Sequence, residues 1–182
     1  MCIRDRKYPA RFTKTADGKP GLSWRVAILP MIGENALYKR FKLNESWDSP
    51  HNKKLIRFMP KVFQSPGSSA EKGWTNYLAV ADDAGFLSAK RPSRRRDIAD
   101  GISKTICVLE ADDTQATIWT KPGDYRYDEK QLSHGLGNIW PGKMFLAAFG
   151  DSTVRQLSAA QPAKELKAMM TKSGGDKVRF DD

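Results

Sequence analysis

Between Ser23 and Phe41 the apolar positions Trp24, Ala27, Ile28, Met31 and Ile32, then Ala36, Leu37 and Phe41, recur at helical spacing. Pro30 and Gly33 interrupt that run, because proline lacks an amide proton and crowds the preceding turn; two short helices are predicted rather than one. Upstream, Thr15-Ala16-Asp17-Gly18-Lys19-Pro20-Gly21 is a turn. A second helical stripe, Leu55, Phe58 and Met59, follows Trp47-Asp48-Ser49-Pro50-His51-Asn52. There Asp48 or Ser49 can cap, Pro50 suits the first turn, and Pro60 ends the helix. After a loop over residues 63–69 the period falls to two, and residues 74–80 predict a strand with one wet face. Asp100-Gly101 turns into a strand over residues 104–110, and Asp112-Asp113 leads into another over 114–119; the two are expected to pair as a hairpin. Residues 143–149 and 153–157 predict a second hairpin around Gly150-Asp151-Ser152. A closing helix over 162–172 turns Ala163, Leu166, Met169 and Met170 inward, and Gly174-Gly175 stops it.

Strands joined by short turns, with helices before and after them, describe an antiparallel sheet packed with helices, an α+β fold. No glycine-rich loop follows a strand, which disfavours a nucleotide-binding α/β fold. Residues 121–142, rich in Gly, Pro, Asp and Tyr, read as one long ordered loop and as the place where specific function would sit. A length of 182 residues suits one core and would crowd two. Met1-Cys2-Ile3-Arg4-Asp5-Arg6 lacks the apolar core of a signal peptide, and no stretch approaches the roughly 20 apolar residues that cross a bilayer. Met1 to Arg6 look like an adapter-derived translation and Lys7-Tyr8-Pro9 reads like the middle of a domain, so residues 1–6 are read as a non-native leader and 7–182 as one domain lacking its natural N-terminus.

A formal charge of +10, from 31 Lys and Arg against 21 Asp and Glu, favours encounters with anionic surfaces or polysaccharide. The excess concentrates in Lys90-Arg91-Pro92-Ser93-Arg94-Arg95-Arg96, making Arg91, Arg94, Arg95 and Arg96 the candidate ligand-binding residues. No aromatic residues interleave with them, so specific nucleic-acid binding is not expected. Asp112, Asp113, Asp124, Asp128 and Glu129 fall in turn sequences and are expected to be exposed rather than paired for glycoside chemistry. The two histidines, His51 and His134, lie in polar cap or loop contexts, and no serine or cysteine stands in a nucleophile motif; no catalytic residue is predicted. His51 with Asp48 could ligate a metal, but capping is the preferred reading. Cys107 sits in the apolar run Thr105-Ile106-Cys107-Val108-Leu109, which predicts a buried, inert thiol, no disulfide and no zinc site. No cofactor is expected.

The blocks around Trp24 and Pro30 (residues 21–30), Trp47-Asp48-Ser49-Pro50-His51-Asn52, Lys61-Val62-Phe63, Asp100-Gly101-Ile102-Ser103-Lys104-Thr105-Ile106, Ile118-Trp119-Thr120-Lys121-Pro122 and Phe149-Gly150-Asp151-Ser152-Thr153-Val154-Arg155 occur in a recognisable order. From about Tyr8 onward the chain resembles a prepilin-like domain family of unknown function from planctomycete bacteria, also labelled solute-binding. Its members typically begin with a prepilin-type cleavage and methylation signal on a long apolar helix and end with a histidine, nine residues and Asp-Gly. The resemblance implies a pilin-like fold whose long N-terminal helix is missing here. It further implies a non-enzymatic, pseudopilin-like protein of the cell envelope, structural or related to type II secretion. The missing helix would anchor it on the extracytoplasmic face and contact other pilin-like subunits. The alternative is an extracytoplasmic binding module for an anionic ligand or polysaccharide. The motif positions carried over are Trp24, Pro30, Trp47, Asp48, Pro50, His51, Asp100, Gly101, Ser103, Trp140, Pro141, Gly142 and Asp151. Trp140-Pro141-Gly142 stands where the family usually has His-Pro-Gly, Ser152 replaces the glycine after Asp151, the spacing is one residue longer, and Lys104 replaces an asparagine.

Overall fold

The computed structural model describes residues 7–175, so the expected leader at 1–6, with Cys2, and the last residues of the expected domain lie outside the described residues. Strands β1 (Phe12–Lys14) and β2 (Pro20–Ser23) pair antiparallel across the predicted turn. β2 runs into helix α1 (Trp24–Ala27), where the Ser23 hydroxyl caps by accepting from the Arg25 amide. Pro30 and Gly33 break the chain as expected, into a 3-10 turn (Leu29–Ile32) and helix α2 (Asn35–Tyr38); Gly33 takes φ +85, which a β-carbon would strain. The tighter 3-10 geometry rotates the stripe, so Met31 and Ile32 face outward instead of joining the core, and Ala36 on α2 is exposed as well.

The second stripe is likewise a 3-10 helix (Asn52–Phe58), not an α-helix. Ser49 rather than Asp48 serves its start, its hydroxyl accepting from the Asn52 amide at 3.1 Å. Leu55 is buried, while Phe58 stays partly exposed beneath Arg40 and Arg57, whose guanidinium carbons lie 4.3 and 4.8 Å from its ring centre.

The strand expected over 74–80 is two strands, β3 (Trp74–Thr75) and β4 (Tyr77–Leu78), serving different sheets. Asn76 divides them, its buried amide donating to the Ala111 carbonyl at 2.9 Å. The expected wet face shrinks to Trp74, because Thr75, Asn76 and residues 78–80 are buried. Strand β5 (Ile106–Glu110) does not form a hairpin with β6 (Thr117–Ile118); β6 pairs with β3, placing Trp74 opposite Ile118. A tight hairpin turn needs positive φ, whereas Asp112 sits at φ −64 and leads into a 3-10 turn (Asp113–Gln115), so the chain never reverses onto β5.

Strands β7 (Met144–Phe149) and β8 (Val154–Ser158) form the second hairpin as expected. The main antiparallel sheet runs β4-β5-β7-β8. Helix α3 (Ala163–Met170) closes its inner face, packing Leu166, Ala168, Met169 and Met170 with Leu78, Ile106, Leu109, Phe145, Ala147 and Phe149. Ala163 is exposed, contrary to expectation, and Ala168 takes the inward place. The helix ends before Gly174-Gly175: Thr171 is already extended (φ −110, ψ 148), and the Lys172 amide is drawn to the Ala84 carbonyl at 2.8 Å.

A second cluster gathers Leu22, Val26, Leu29, Leu37, Phe41, Leu55 and Phe63 around Trp119, which is fully buried, edge-on to Phe41 and stacked on Phe63 at 5.8 Å. A third joins Trp24, Ala79, Phe86, Leu87 and Ile98, with Tyr8 edge-on to Phe86 and Cys107 and Val108 of β5 behind them. The architecture is mixed helix and strand, with antiparallel sheets and few, short helices. Cys107 is half-buried rather than buried, but its thiol is free and pushed up to about 12 by desolvation, so it is protonated at neutral pH and a poor nucleophile, as expected.

Candidate functional site

Residues 121–142 are stitched to the body of the protein by three carboxylates in polar surroundings. Arg25, fully buried, donates from Nε and Nη2 to the Tyr77 carbonyl at 2.9 and 2.6 Å and from Nη1 to Ser23 Oγ at 2.7 Å. It reaches the Gly123 carbonyl at 3.4 Å and pairs with Asp124 at 3.3 Å. Asp124 also accepts from Trp24 Nε1 at 3.0 Å and from the Ala79 amide at 3.1 Å. Burial holds the Asp124 carboxyl above its usual value, opposed by Arg25, the indole and the amide. Asp112 accepts from the Asn138 amide at 2.7 Å. Glu110 accepts from Trp140 Nε1 and from Ser65 Oγ, both at 2.6 Å.

These bonds correct the expectation that the carboxylates in turn sequences would be exposed. The side chain of Asp124 is 2% exposed and Asp112 is buried, because each is matched by donors from distant segments. Asp113, Asp128 and Glu129 are exposed as expected. Each carboxylate has its own donors, and among the described residues no group of three or more His, Cys, Asp or Glu is placed to hold a metal. Arg25 is not among the candidate residues read from the sequence, where its one signal is a charged residue inside the apolar block from Gly21 to Pro30.

The motif residues do not converge. Trp47, whose ring lies 5.6 Å from Lys121 Nζ, lines an open cleft of about 660 Å³ with Asp48, Thr15 and Lys19. Asp48 accepts from the Ser46 hydroxyl, while His51 Nε2 lies 2.8 Å from the Arg40 carbonyl. Pro50 and Pro30 are exposed. Gly101 takes φ +99, and Asp100 accepts from the Gly174 and Gly175 amides at 2.7 and 3.0 Å; Ser103 is half-buried. Pro141 and Gly142 form the 3-10 turn before β7, and Asp151 follows that strand, accepting from the Thr153 hydroxyl at 2.7 Å. Trp140 and Asp151 are thus separated by a strand of about 20 Å and cannot serve one site.

Two overlapping segments, residues 4–69 and 58–139, match the family model described as protein of unknown function (DUF1559), whose short label is that of bacterial solute-binding proteins. The chain belongs to this family. No curated protein and no solved structure matches it. Trp24, Pro30, Trp47, Asp48, Pro50, His51, Asp100, Gly101 and Ser103 fall inside the matched stretch, whereas Trp140, Pro141, Gly142 and Asp151 follow it.

The arginine run belongs to a different surface, and the fold divides it. Arg91 pairs with Asp97 at 2.7 Å, and Asp97 also accepts from the Arg94 amide at 2.8 Å. The hydrogen bond from Arg91, followed by that amide, brings the Asp97 carboxyl down to about 2. Arg91 lines a cleft of about 390 Å³ with Lys90 and Lys172, while Arg94, Arg95 and Arg96 are not part of its lining.

Proposed function

We propose that the chain is the non-enzymatic, outward-facing domain of a pilin-like envelope protein, structural or secretion-related. The observation that carries this reading is the outer face of the main sheet. Helix α3 closes the inner face, but on the outer face Met144, Leu146 and Ala148 of β7 form a half-buried apolar row opposite Ser158, Gln156 and Val154 of β8, the last 64% exposed. Over β5 the outer face is covered by the cluster that includes Tyr8, over β7 it is half-buried, and over β8 it is exposed at Val154 and Gln156. An antiparallel sheet finished on one side, and carrying on the other an apolar row along β7 flanked by Val154, suits one apolar helix laid along that row. In this reading such a helix precedes Tyr8 in the natural protein, anchors it on the extracytoplasmic face and meets other pilin-like subunits. Among the described residues no helix is long and apolar enough to cross a membrane.

The test is the natural 5′ end of the gene. A short basic leader, a Gly-Phe-type cleavage site and an apolar stretch of about 20 residues are expected. A conventional signal peptide or a cytosolic start would make the pilin-like reading untenable.

A second reading, an extracytoplasmic module that captures an anionic ligand or polysaccharide, is favoured by the cleft beside Arg91. Charge reversal at Arg91 and Arg94 to Arg96 that left binding of acidic glycans unchanged would remove the polysaccharide version of it.

A further inference from the structure

We propose that the cleft between residues 83–97 and the segment following α3 binds a small phosphomonoester solute, its phosphate held by Arg91, Lys172 and Ser93. This deepens the anionic-ligand reading and does not need the envelope reading. The cleft, about 390 Å³, falls within the size range of small-molecule sites. Three cations face it, Lys90, Arg91 and Lys172, against two carboxylates, Asp83 and Asp97. Both carboxylates are already engaged: Asp83 with Lys90 at 3.3 Å and the Ala89 amide at 3.1 Å, Asp97 with Arg91 and the Arg94 amide. They position the cations and leave one positive charge over.

That charge is best assigned to Lys172, whose ammonium donates to two carbonyls, Asp83 at 2.6 Å and Gly85 at 3.0 Å. Carbonyls orient an ammonium without neutralising it, and two bonds use two of its three N–H groups. Ser93 supplies the independent sign of a ligand. It lines the same cleft at 2% exposure, and its hydroxyl is buried with no hydrogen-bond partner among the described residues. Buried hydroxyls nearly always have a partner, and the proposal gives that place to a phosphate oxygen of the ligand. A guanidinium, an ammonium and a hydroxyl match the several acceptor oxygens of a phosphate better than a single carbonyl. No aromatic side chain lines the cleft, so nothing would stack on a nucleobase, and a sugar or polyol phosphate fits better than a nucleotide.

The experiment is calorimetric titration of the full chain with glucose 6-phosphate, inorganic phosphate, glucose, polygalacturonate and phosphatidylglycerol vesicles. One glucose 6-phosphate per chain is expected, with no heat from glucose. Ser93→Ala and Lys172→Met should each weaken binding by about tenfold or more, the scale of a hydrogen bond to a charged group. Arg96→Ala should leave it within about twofold on the same scale. Should Lys172→Met fail to fold, as judged by melting, Ser93→Ala and Arg91→Met decide, each expected to weaken binding by about tenfold or more. Absence of saturable phosphate binding overturns the proposal, as does binding that survives every cleft substitution, or binding to vesicles in place of the soluble probes. Polygalacturonate binding without phosphate binding overturns the site while leaving the wider anionic reading; binding of neither removes both.

Discussion

Glu110 is 1% exposed and takes one hydrogen bond from Trp140 and one from Ser65, across 30 and 45 positions of sequence. Removing a donor strands a buried oxygen, at a cost of roughly 1–3 kcal/mol. Trp140→Phe is therefore expected to lower stability by about 2 kcal/mol in urea unfolding. Trp140→His, the residue the family resemblance places there, retains an N–H and should lose less than half as much. Equal losses would show that the indole contributes through packing alone. Ser152 makes a second test, since its φ of +74 is strained for a residue with a β-carbon. Ser152→Gly removes that strain against a larger entropy loss on folding, for a net gain of about 0.5 kcal/mol; an unchanged or lower urea midpoint would refute it. The Gly150-Asp151-Ser152 turn is readable from residue types, but the partner of Trp140 is not, because no local pattern points from residue 140 to residue 110.

Elements with local causes are the ones the chain declares openly: the break at Pro30 and Gly33, the β7–β8 hairpin and helix α3 each follow from residues inside or beside them. The pairing of β6 with β3 does not, because it is decided at Asn76 and Asp113, far apart in sequence. Asp113 accepts from the Ser69 amide and hydroxyl at 2.9 and 2.6 Å, from Ser68, and from Asn76 Nδ2 at 2.9 Å, tying the loop after Phe63 to the corner where β5 ends. Burial raises this carboxyl, but the bonds from Ser68, Ser69 and Asn76 prevail and bring it from 3.8 to about 2. A folded value below the unfolded one means that the contribution to stability is complete above about pH 5 and is lost as pH falls through 3.8 toward 2. The urea midpoint should therefore fall less on acidification in Asp113→Asn than in the parent. Parallel declines would place the acid sensitivity elsewhere.

At the scale of the whole molecule, the question is what makes three apolar clusters one body. Arg25 stands where they meet: its neighbour Trp24 belongs to the third cluster, Val26 to the second, and the Tyr77 carbonyl it binds precedes Leu78 of the first. An arginine inside an apolar block can be noticed in the sequence, but Asp124, 99 positions away, cannot be assigned to it without the fold. Burying this pair costs solvation on both sides, so leaving one member alone is expected to cost about 3–5 kcal/mol, while replacing both by apolar residues costs far less. Arg25→Met and Asp124→Leu should thus each be strongly destabilising, and the double variant should lose much less than their sum, the mark of direct coupling. If the junction holds the clusters together, unfolding of the parent is one transition, coincident by tryptophan fluorescence, to which the buried Trp24 and Trp119 contribute, and by far-ultraviolet circular dichroism, which follows the strands. Separated midpoints in the parent would mean that the clusters unfold independently. Coincidence in the parent that gave way to separation in Arg25→Met would assign the cooperativity to this one side chain.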